Sequence, residues 1–349
     1  MNFLIVFVLC LLSLVVYSQW ILIFEPLEFN KNLFGLTYIT IFHLDVILLL
    51  YSYYKAIVTN PGHPPVEWLP DGKSKEDLNK LVDHYKLNPT LTTRNSNKYY
   101  QQQISITGQS PQQQKEHRFC SVCSHFKPHR TYHCRYCNKC ILKQDHHCPW
   151  IDNCTGFRNQ KSFILFLLYT VILGVLASTL LAITGFYILN TNMDLKENKY
   201  KRTSSGGGTG EITYRIGDPY VTILYILNFA FIIPSLMGVF GLFYYQLDFL
   251  FHNYTSIERF ERKSETKVAK RNNLKYHWRY DRGWKKNFRE VFGESRLGWF
   301  LPIGTPKIDG LTWVTVRLED LSDQSSDDDD NRGLLGGGSS SGRGDVFNV

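Results

Sequence analysis

Four long runs dominate this sequence: Phe3–Phe24, Leu33–Ile57, Ser162–Leu189 and Tyr220–Tyr245. Crossing the hydrocarbon core of a bilayer takes roughly 20 apolar residues of helix, and each run reaches that length. The last two contain no charge, and the second is apolar apart from His43, Asp45 and Lys55. The chain is therefore expected to be a polytopic α-helical membrane protein with four transmembrane helices. Its mean hydropathy, −0.21, conceals this because the polar segments between the runs offset them. The first run lies where a secretory signal would, but no basic residue precedes it. It also exceeds the ~7–15 apolar residues of a signal core, so it reads as a retained helix.

The net charge is +8. No basic block alternates with exposed aromatics in the manner of a single-strand binder, so no nucleic-acid partner is expected. The excess instead marks loops held on the cytosolic side. Fifteen Lys and Arg lie between Thr59 and Lys161 and six between His252 and Arg271, while the loop joining the first two runs has only Lys31. The loop Thr191–Gly217 carries five, offset by Asp194, Glu197 and Glu211. Both termini and the long central segment are then cytosolic. The two sequons, at Asn153 and Asn253, face the cytosol on this topology and stay unmodified.

These signals divide the chain as follows. Residues 1–58 hold helices 1 and 2, and 59–116 form a cytosolic linker. A cysteine-rich domain occupies 117–161. Helices 3 and 4 with a lumenal loop span 162–250, and a cytosolic C-terminal domain spans 251–320. Within the linker, Asn88–Gln114 is rich in Asn, Gln, Ser and Thr and reads as a flexible insertion. Residues 321–349, with "DDDD" and "GGGSSSG", read as a disordered tail.

Seven of the eight cysteines fall between Cys120 and Cys154, leaving Cys10 as a small apolar filler in the first helix. Their order is Cys120, Cys123, His133-Cys134, Cys137, Cys140, His147-Cys148 and Cys154. Cysteines two residues apart with histidines nearby are the spacing of tetrahedral zinc. A reducing cytosol leaves thiolates free for metal, and a segment this poor in apolar residues needs metal to fold. Two closed sites take eight ligands. Seven cysteines and one histidine would supply them, making Cys148 a ligand. Six cysteines and two histidines would also do so, leaving one cysteine spare. The first set suits RING-like and PHD-like domains, which end in a C-x2-C pair, but this cluster ends Cys148-x5-Cys154. A spare cysteine beside Asp145 and His146 has the base that a reactive thiolate needs. Since neighbours in sequence rarely point at one another, the trio is expected on an irregular turn.

The stretch Cys120–Asn159, with "HRTYHCRYCNKC" and "DHHCPWIDNCTGFRN", resembles the cysteine-rich domain of DHHC-type protein S-acyltransferases. The resemblance extends to "NPG" (Asn60–Gly62), with Asn60 where the family has Asp. It extends also to "TSIE" (Thr255–Glu258), with Ser256 for the second Thr, and to "NFREVFG" (Asn287–Gly293). It implies two structural Zn2+ ions, one on Cys120, Cys123, His133 and Cys140, the other on Cys134, Cys137, His147 and Cys154. It implies Cys148 as nucleophile, His146 as its base and Asp145 as the residue orienting His146. The implied reaction passes an acyl group from acyl-CoA to Cys148 and then to cysteines of membrane-associated substrate proteins on an endomembrane such as Golgi or ER, with the chain housed among the helices. Ser256 keeps the hydroxyl for the family's contact with the active-site loop.

Other residues carry weaker signals. Lys127, Arg130 and Lys143 are candidates for the phosphates of CoA, or are ordinary solvated charges. Trp150 and Leu173, with Gly174, are candidate contacts for the acyl donor. His43 and Asp45 are ionisable groups inside a membrane helix, which mark function or interhelical hydrogen bonds. "LGWFLPI" (Leu297–Ile303) has the character of a segment lying on the membrane, or packs against the cysteine-rich domain. The competing function is a membrane-anchored zinc-binding adaptor or ubiquitin ligase.

Overall fold

The computed structural model describes residues 3–24, 31, 33–70, 73–87, 118–201, 219–304, 306 and 308–316. The polar insertion at 88–114 and the tail from 321 lie outside the described residues. Four helices are long and apolar enough to cross a membrane, over Phe3–Leu22, Leu33–Val58, Gln160–Phe186 and Ile223–Phe251. Helix α1 (Phe3–Gln19) passes into a π-helical turn, Trp20–Phe24. Helix α2 is Leu33–Val58, and a short helix α3, Lys75–Leu87, follows within the linker.

Helix α4 (Gln160–Lys201) and helix α5 (Pro219–Phe251) both outrun their apolar sequences. α4 continues through the first residues assigned to the lumenal loop. A helix satisfies its own backbone and need not stop where side chains turn polar. α5 extends six residues past Tyr245, carrying Gln246 and Asp248. α4 packs against both α2 and α5, and α1 lies against α5.

Between α2 and α4 stand three two-stranded antiparallel hairpins, β1 (Phe119–Cys120) with β2 (His125–Phe126), β3 (Tyr132–Cys134) with β4 (Lys139–Ile141), and β5 (His146–Cys148) with β6 (Asn153–Thr155). The domain is seated on the end of α2. Asn153 Nδ2 donates to the carbonyls of Ile57 and Thr59 at 3.0 Å, covering acceptors that the helix end leaves open. The Tyr53 hydroxyl donates to the Trp150 carbonyl at 2.7 Å. The chain leaves α2 through Asn60, whose Oδ1 accepts from the Gly62 N–H at 2.9 Å. An amide oxygen supplies this turn bond as a carboxylate would. Gly62 has φ +105°, and at Gly156 a Cβ would meet Ile141 Cγ2 at 2.8 Å and the Pro61 carbonyl at 3.0 Å. Both positions are thus closed to larger residues.

After α5 come α6 (Glu258–Arg271), α7 (Trp284–Phe292) and a 3-10 turn, Leu297–Phe300. Within the membrane, the Trp20 indole donates to His43 Nε2 at 3.3 Å. His43 Nδ1 therefore carries the proton and donates to the Ile39 carbonyl at 2.8 Å. Asp45 is buried, with Oδ2 unpaired.

Candidate active site and metal centres

Strand alternation sorts the ligands. Successive residues of a strand face opposite sides, so His133 and Cys134 on β3 cannot serve the same centre. His133 lies opposite Cys140 across the β3–β4 ladder, and His147 lies opposite Cys154 across β5–β6. Two groups result: Cys120, Cys123, His133 and Cys140, and Cys134, Cys137, His147 and Cys154, the ligand atoms of each lying within 4.8 Å of one another. In the first, His133 Nδ1 stands 3.6, 3.3 and 3.9 Å from the sulfurs of Cys120, Cys123 and Cys140. In the second, His147 Nδ1 stands 3.4 Å from Cys137 Sγ and 3.7 Å from Cys154 Sγ, and the two sulfurs are 3.6 Å apart. Zinc bonds of about 2.0–2.3 Å at tetrahedral angles place ligand atoms about 3.5–3.8 Å apart, so both donor sets fit the metal. The Cys123 and Cys137 amides each point at the preceding cysteine sulfur at 3.4 Å, as in a metal-bound turn.

The same alternation keeps Cys148 out of both groups. His146 and Cys148 are two apart on β5 and share the face opposite His147. A regular strand brings this pair together, while Asp145 lies just before the strand, after the turn at Lys143 (φ +43°), so the irregular backbone expected for the trio is confined to its first member. His146 Nδ1 donates to Asp145 Oδ2 at 2.8 Å, which turns Nε2 toward the thiol. Burial works against protonation of His146, but its hydrogen bonds to Asp145 and Cys148 outweigh it and push its pKa up to about 10.

Asp145 is itself enclosed. Burial opposes its ionisation, yet His146, the Ser256 amide and Gln246 together hold its carboxyl below the usual range. Gln246 Nε2 donates to Oδ2 at 2.8 Å and the Ser256 N–H to Oδ1 at 2.5 Å, while the Ser256 hydroxyl donates to the Asp145 carbonyl. Ser256 thus makes the contact expected from the resemblance. Gln246 escaped the sequence reading; its signal was a polar residue just past an apolar run.

Cys148 is buried and lines an apolar cavity of about 430 Å3 between α1, α4 and α5. Trp150 and Phe163 stand near the thiol, Leu173 and Gly174 lie on the α4 wall, and Asn228 is also on the lining. The Asn228 amide oxygen accepts from the Ser18 hydroxyl at 2.7 Å. The Phe163 ring meets the His146 ring edge-on at 5.4 Å.

The three basic candidates have other surroundings. Arg130 is buried, with Nε and Nη2 each donating to the Glu258 carboxylate at 2.7 Å, and Nη1 and Nη2 also reaching Asn253 Oδ1 and its carbonyl. Its guanidinium lies over Tyr280 at 4.4 Å and over Trp313 at 4.6 Å. Lys143 is buried against Glu290 at 3.1 Å. Lys127 is half-buried near the first ligand group, where burial and then Arg118 lower its pKa. Arg130 and Lys143 therefore act as internal struts joining the cysteine-rich domain to the C-terminal elements. Asn253 Nδ2 donates to the Tyr280 carbonyl and to Glu290, so both sequon amides are engaged inside the fold.

Fold and site define a multi-pass membrane protein with a thiol held over an intramembrane cavity by a metal-binding domain. A profile described as DHHC palmitoyltransferase matches residues 113–263. The chain is 30% identical over 276 residues to "Probable protein S-acyltransferase 13" of Arabidopsis thaliana, covering 78% of this chain and 74% of that one. It is 29% identical over 289 residues to "Probable protein S-acyltransferase 14" of the same plant, covering 81% and 79%. It is also 29% identical over 315 residues to "Palmitoyltransferase ZDHHC20" of Homo sapiens, covering 88% and 76%. The chain belongs to the DHHC palmitoyltransferase family. Nothing in these relationships favours an adaptor or a ubiquitin ligase.

Proposed function

We propose that the chain moves a fatty acyl group from acyl-CoA to cysteine thiols of membrane-associated proteins through an acyl-Cys148 intermediate. The observation that carries the reading is a thiol paired with a carboxylate-held histidine and opening onto an apolar cavity. In the first step Cys148 gives its proton to His146 and its thiolate adds to the thioester carbonyl of acyl-CoA. The carbonyl re-forms as the C–S bond to CoA breaks, and His146 returns the proton to the departing thiolate. In the second step a substrate thiol gives its proton to His146 and attacks the acyl-Cys148 carbonyl, and the Cys148 thiolate leaves and is reprotonated. One thioester replaces another at each step, so the protein's contribution is placement and thiol activation. Keeping the acyl chain in the cavity avoids exposing its CH2 groups to water at about 0.8 kcal/mol each. Trp150, Leu173 and Gly174 are assigned to that chain. Of the basic candidates, Lys127 is the one left for the phosphates of CoA, since Arg130 and Lys143 are committed to carboxylates.

Two Zn2+ ions on the Cys3His groups are assigned a structural role, and no reaction step passes through them. The Lys and Arg distribution supports a site and both termini on the cytosolic side, and the endomembrane compartment is carried by the family resemblance alone.

The test is incubation of purified protein in lipid with labelled palmitoyl-CoA. Label on the protein that hydroxylamine removes, with CoA released in equal amount, supports the reading. Absence of label at saturating donor overturns it. Within this mechanism Asp145→Asn keeps the size of the side chain but removes the charge that favours protonated His146. It is expected to slow acyl-enzyme formation by about 10²–10⁴-fold, measured in a single turnover, and to move the pH dependence of that step, with metal content unchanged.

A further inference from the structure

The segment Leu297–Ile303 packs on neither metal-binding group. It lies along the first turns of α4. The Lys161 ammonium donates to the carbonyls of Gly298 and Ile303, both at 2.8 Å. The Tyr169 hydroxyl donates to the Phe300 carbonyl. Trp299 turns inward, its indole N–H bonded to the Gly293 carbonyl at 2.9 Å and its ring edge-on to Phe288 at 5.0 Å. The remaining large apolar side chains turn outward: Leu297 is 88% exposed, Phe300 63% and Ile303 46%.

Two features say what covers this surface. The first is depth. Tyr169 stands nine residues beyond Gln160, where the membrane-spanning stretch begins, or about 13 Å along the axis. Its side chain leans back toward the helix N-terminus, so Phe300 is held alongside the membrane-spanning stretch, not beyond its end. The second is the backbone. A loop in water leaves its carbonyls to solvent, whereas a loop in hydrocarbon must find partners for them. Here side chains of a transmembrane helix take the carbonyls of Gly298, Phe300 and Ile303. The adjoining polar surface carries exposed Lys285, Lys286, Arg289 and Arg296 beside the exposed Trp284, against one exposed acid, Glu294, which pairs with Arg289 at 3.5 Å, so the excess is basic. That composition suits an anionic headgroup layer.

We infer that Leu297–Ile303 is a re-entrant bilayer anchor. Leu297, Phe300 and Ile303 sit among lipid acyl chains of the leaflet on the cysteine-rich-domain side and fasten the C-terminal elements to the membrane surface. The partner is lipid, because the exposed apolar side chains stand at the depth of the membrane-spanning stretch to which their backbone is bonded.

The experiment places a photo-reactive benzophenone amino acid singly at Leu297, Phe300 or Tyr136 of the full chain. Tyr136 is the control, being 84% exposed on the cysteine-rich domain. Each protein is reconstituted in vesicles of phosphatidylcholine and phosphatidylserine, irradiated and analysed by peptide mass. Phospholipid adducts at 297 and 300, and none at 136, are expected. Adducts to protein, or lipid adducts no more abundant than at 136, overturn the inference. Hydrogen exchange gives a second reading, taken on the unmodified chain and on Phe300→Asp, with protection of α4 reporting that the variant is folded. Amides of 297–303 are expected to be protected in vesicles, and in Phe300→Asp to lose that protection while α4 keeps its own. Protection that survives Phe300→Asp would mean that protein packing, not lipid, covers the turn, and would overturn the anchor.

Discussion

Cys148→Ser is expected to abolish hydroxylamine-labile labelling by palmitoyl-CoA while the protein still binds two zinc ions per chain. Both halves follow from strand geometry. Cys148 lies on β5 one residue beyond the ligand His147, so its side chain leaves the opposite face. It belongs to neither group of four candidate ligands, each of which already has the complement that tetrahedral zinc takes. A serine hydroxyl is far less readily ionised than a thiol, and His146 cannot make it a comparable nucleophile for a thioester. The volume change is small, so the cavity and the β5–β6 hairpin persist. Zinc per chain by metal analysis and label retained after gel separation are the two measurements. A variant that loses one zinc would make Cys148 a ligand, and one that keeps its thioester label would place the acyl group on another cysteine. Cys154→Ser supplies the contrast: it removes a ligand, and loss of metal, instability and loss of label should come together.

The difference between Cys148 and its neighbours shows how far the sequence could be read. Ligand number and type were legible because zinc restricts spacing so strongly. Four helices were legible because a bilayer demands long apolar runs. The cluster's C-x5-C ending and the resemblance pointed to a free Cys148, but ligand counting alone did not show which faces the residues occupy. That needed the knowledge that His146–Cys148 is a strand, a segment too short to announce itself by alternation. The supports of Asp145 were less legible still. Gln246 and Ser256 come from more than a hundred residues downstream, and only the packing of α5 beside the cysteine-rich domain brings them in. Arg130 and Lys143 read as contacts for CoA phosphates or as solvated charges, because nothing in a local window shows that Glu258 and Glu290 will bury with them.

That burial sets the second large effect. Arg130→Met is expected to lower stability by about 3–5 kcal/mol, because removing one member of a buried pair leaves the other charge uncompensated. Glu258 would retain the Thr255 amide at 2.9 Å but lose both guanidinium bonds. Asn253 would lose the donors to its side-chain and backbone oxygens, and Tyr280 and Trp313 the cation between their rings. The damage should reach catalysis as well. Glu258 and Thr255 exchange hydrogen bonds across Ser256, and Ser256 is the residue that donates to Asp145. The apparent melting temperature in detergent or nanodiscs should therefore fall together with the rate of acyl-enzyme formation. The double variant Arg130→Met/Glu258→Leu separates the two consequences. It leaves no orphaned charge, so most of the lost stability should return, as it does when buried ion pairs are exchanged for apolar residues. The rate should stay low, because the loop holding Ser256 against Asp145 has lost its tether. A double variant that recovers rate along with melting temperature would show that Arg130 serves stability alone. A single variant that melts like the parent would show that the buried pair is not a strut at all.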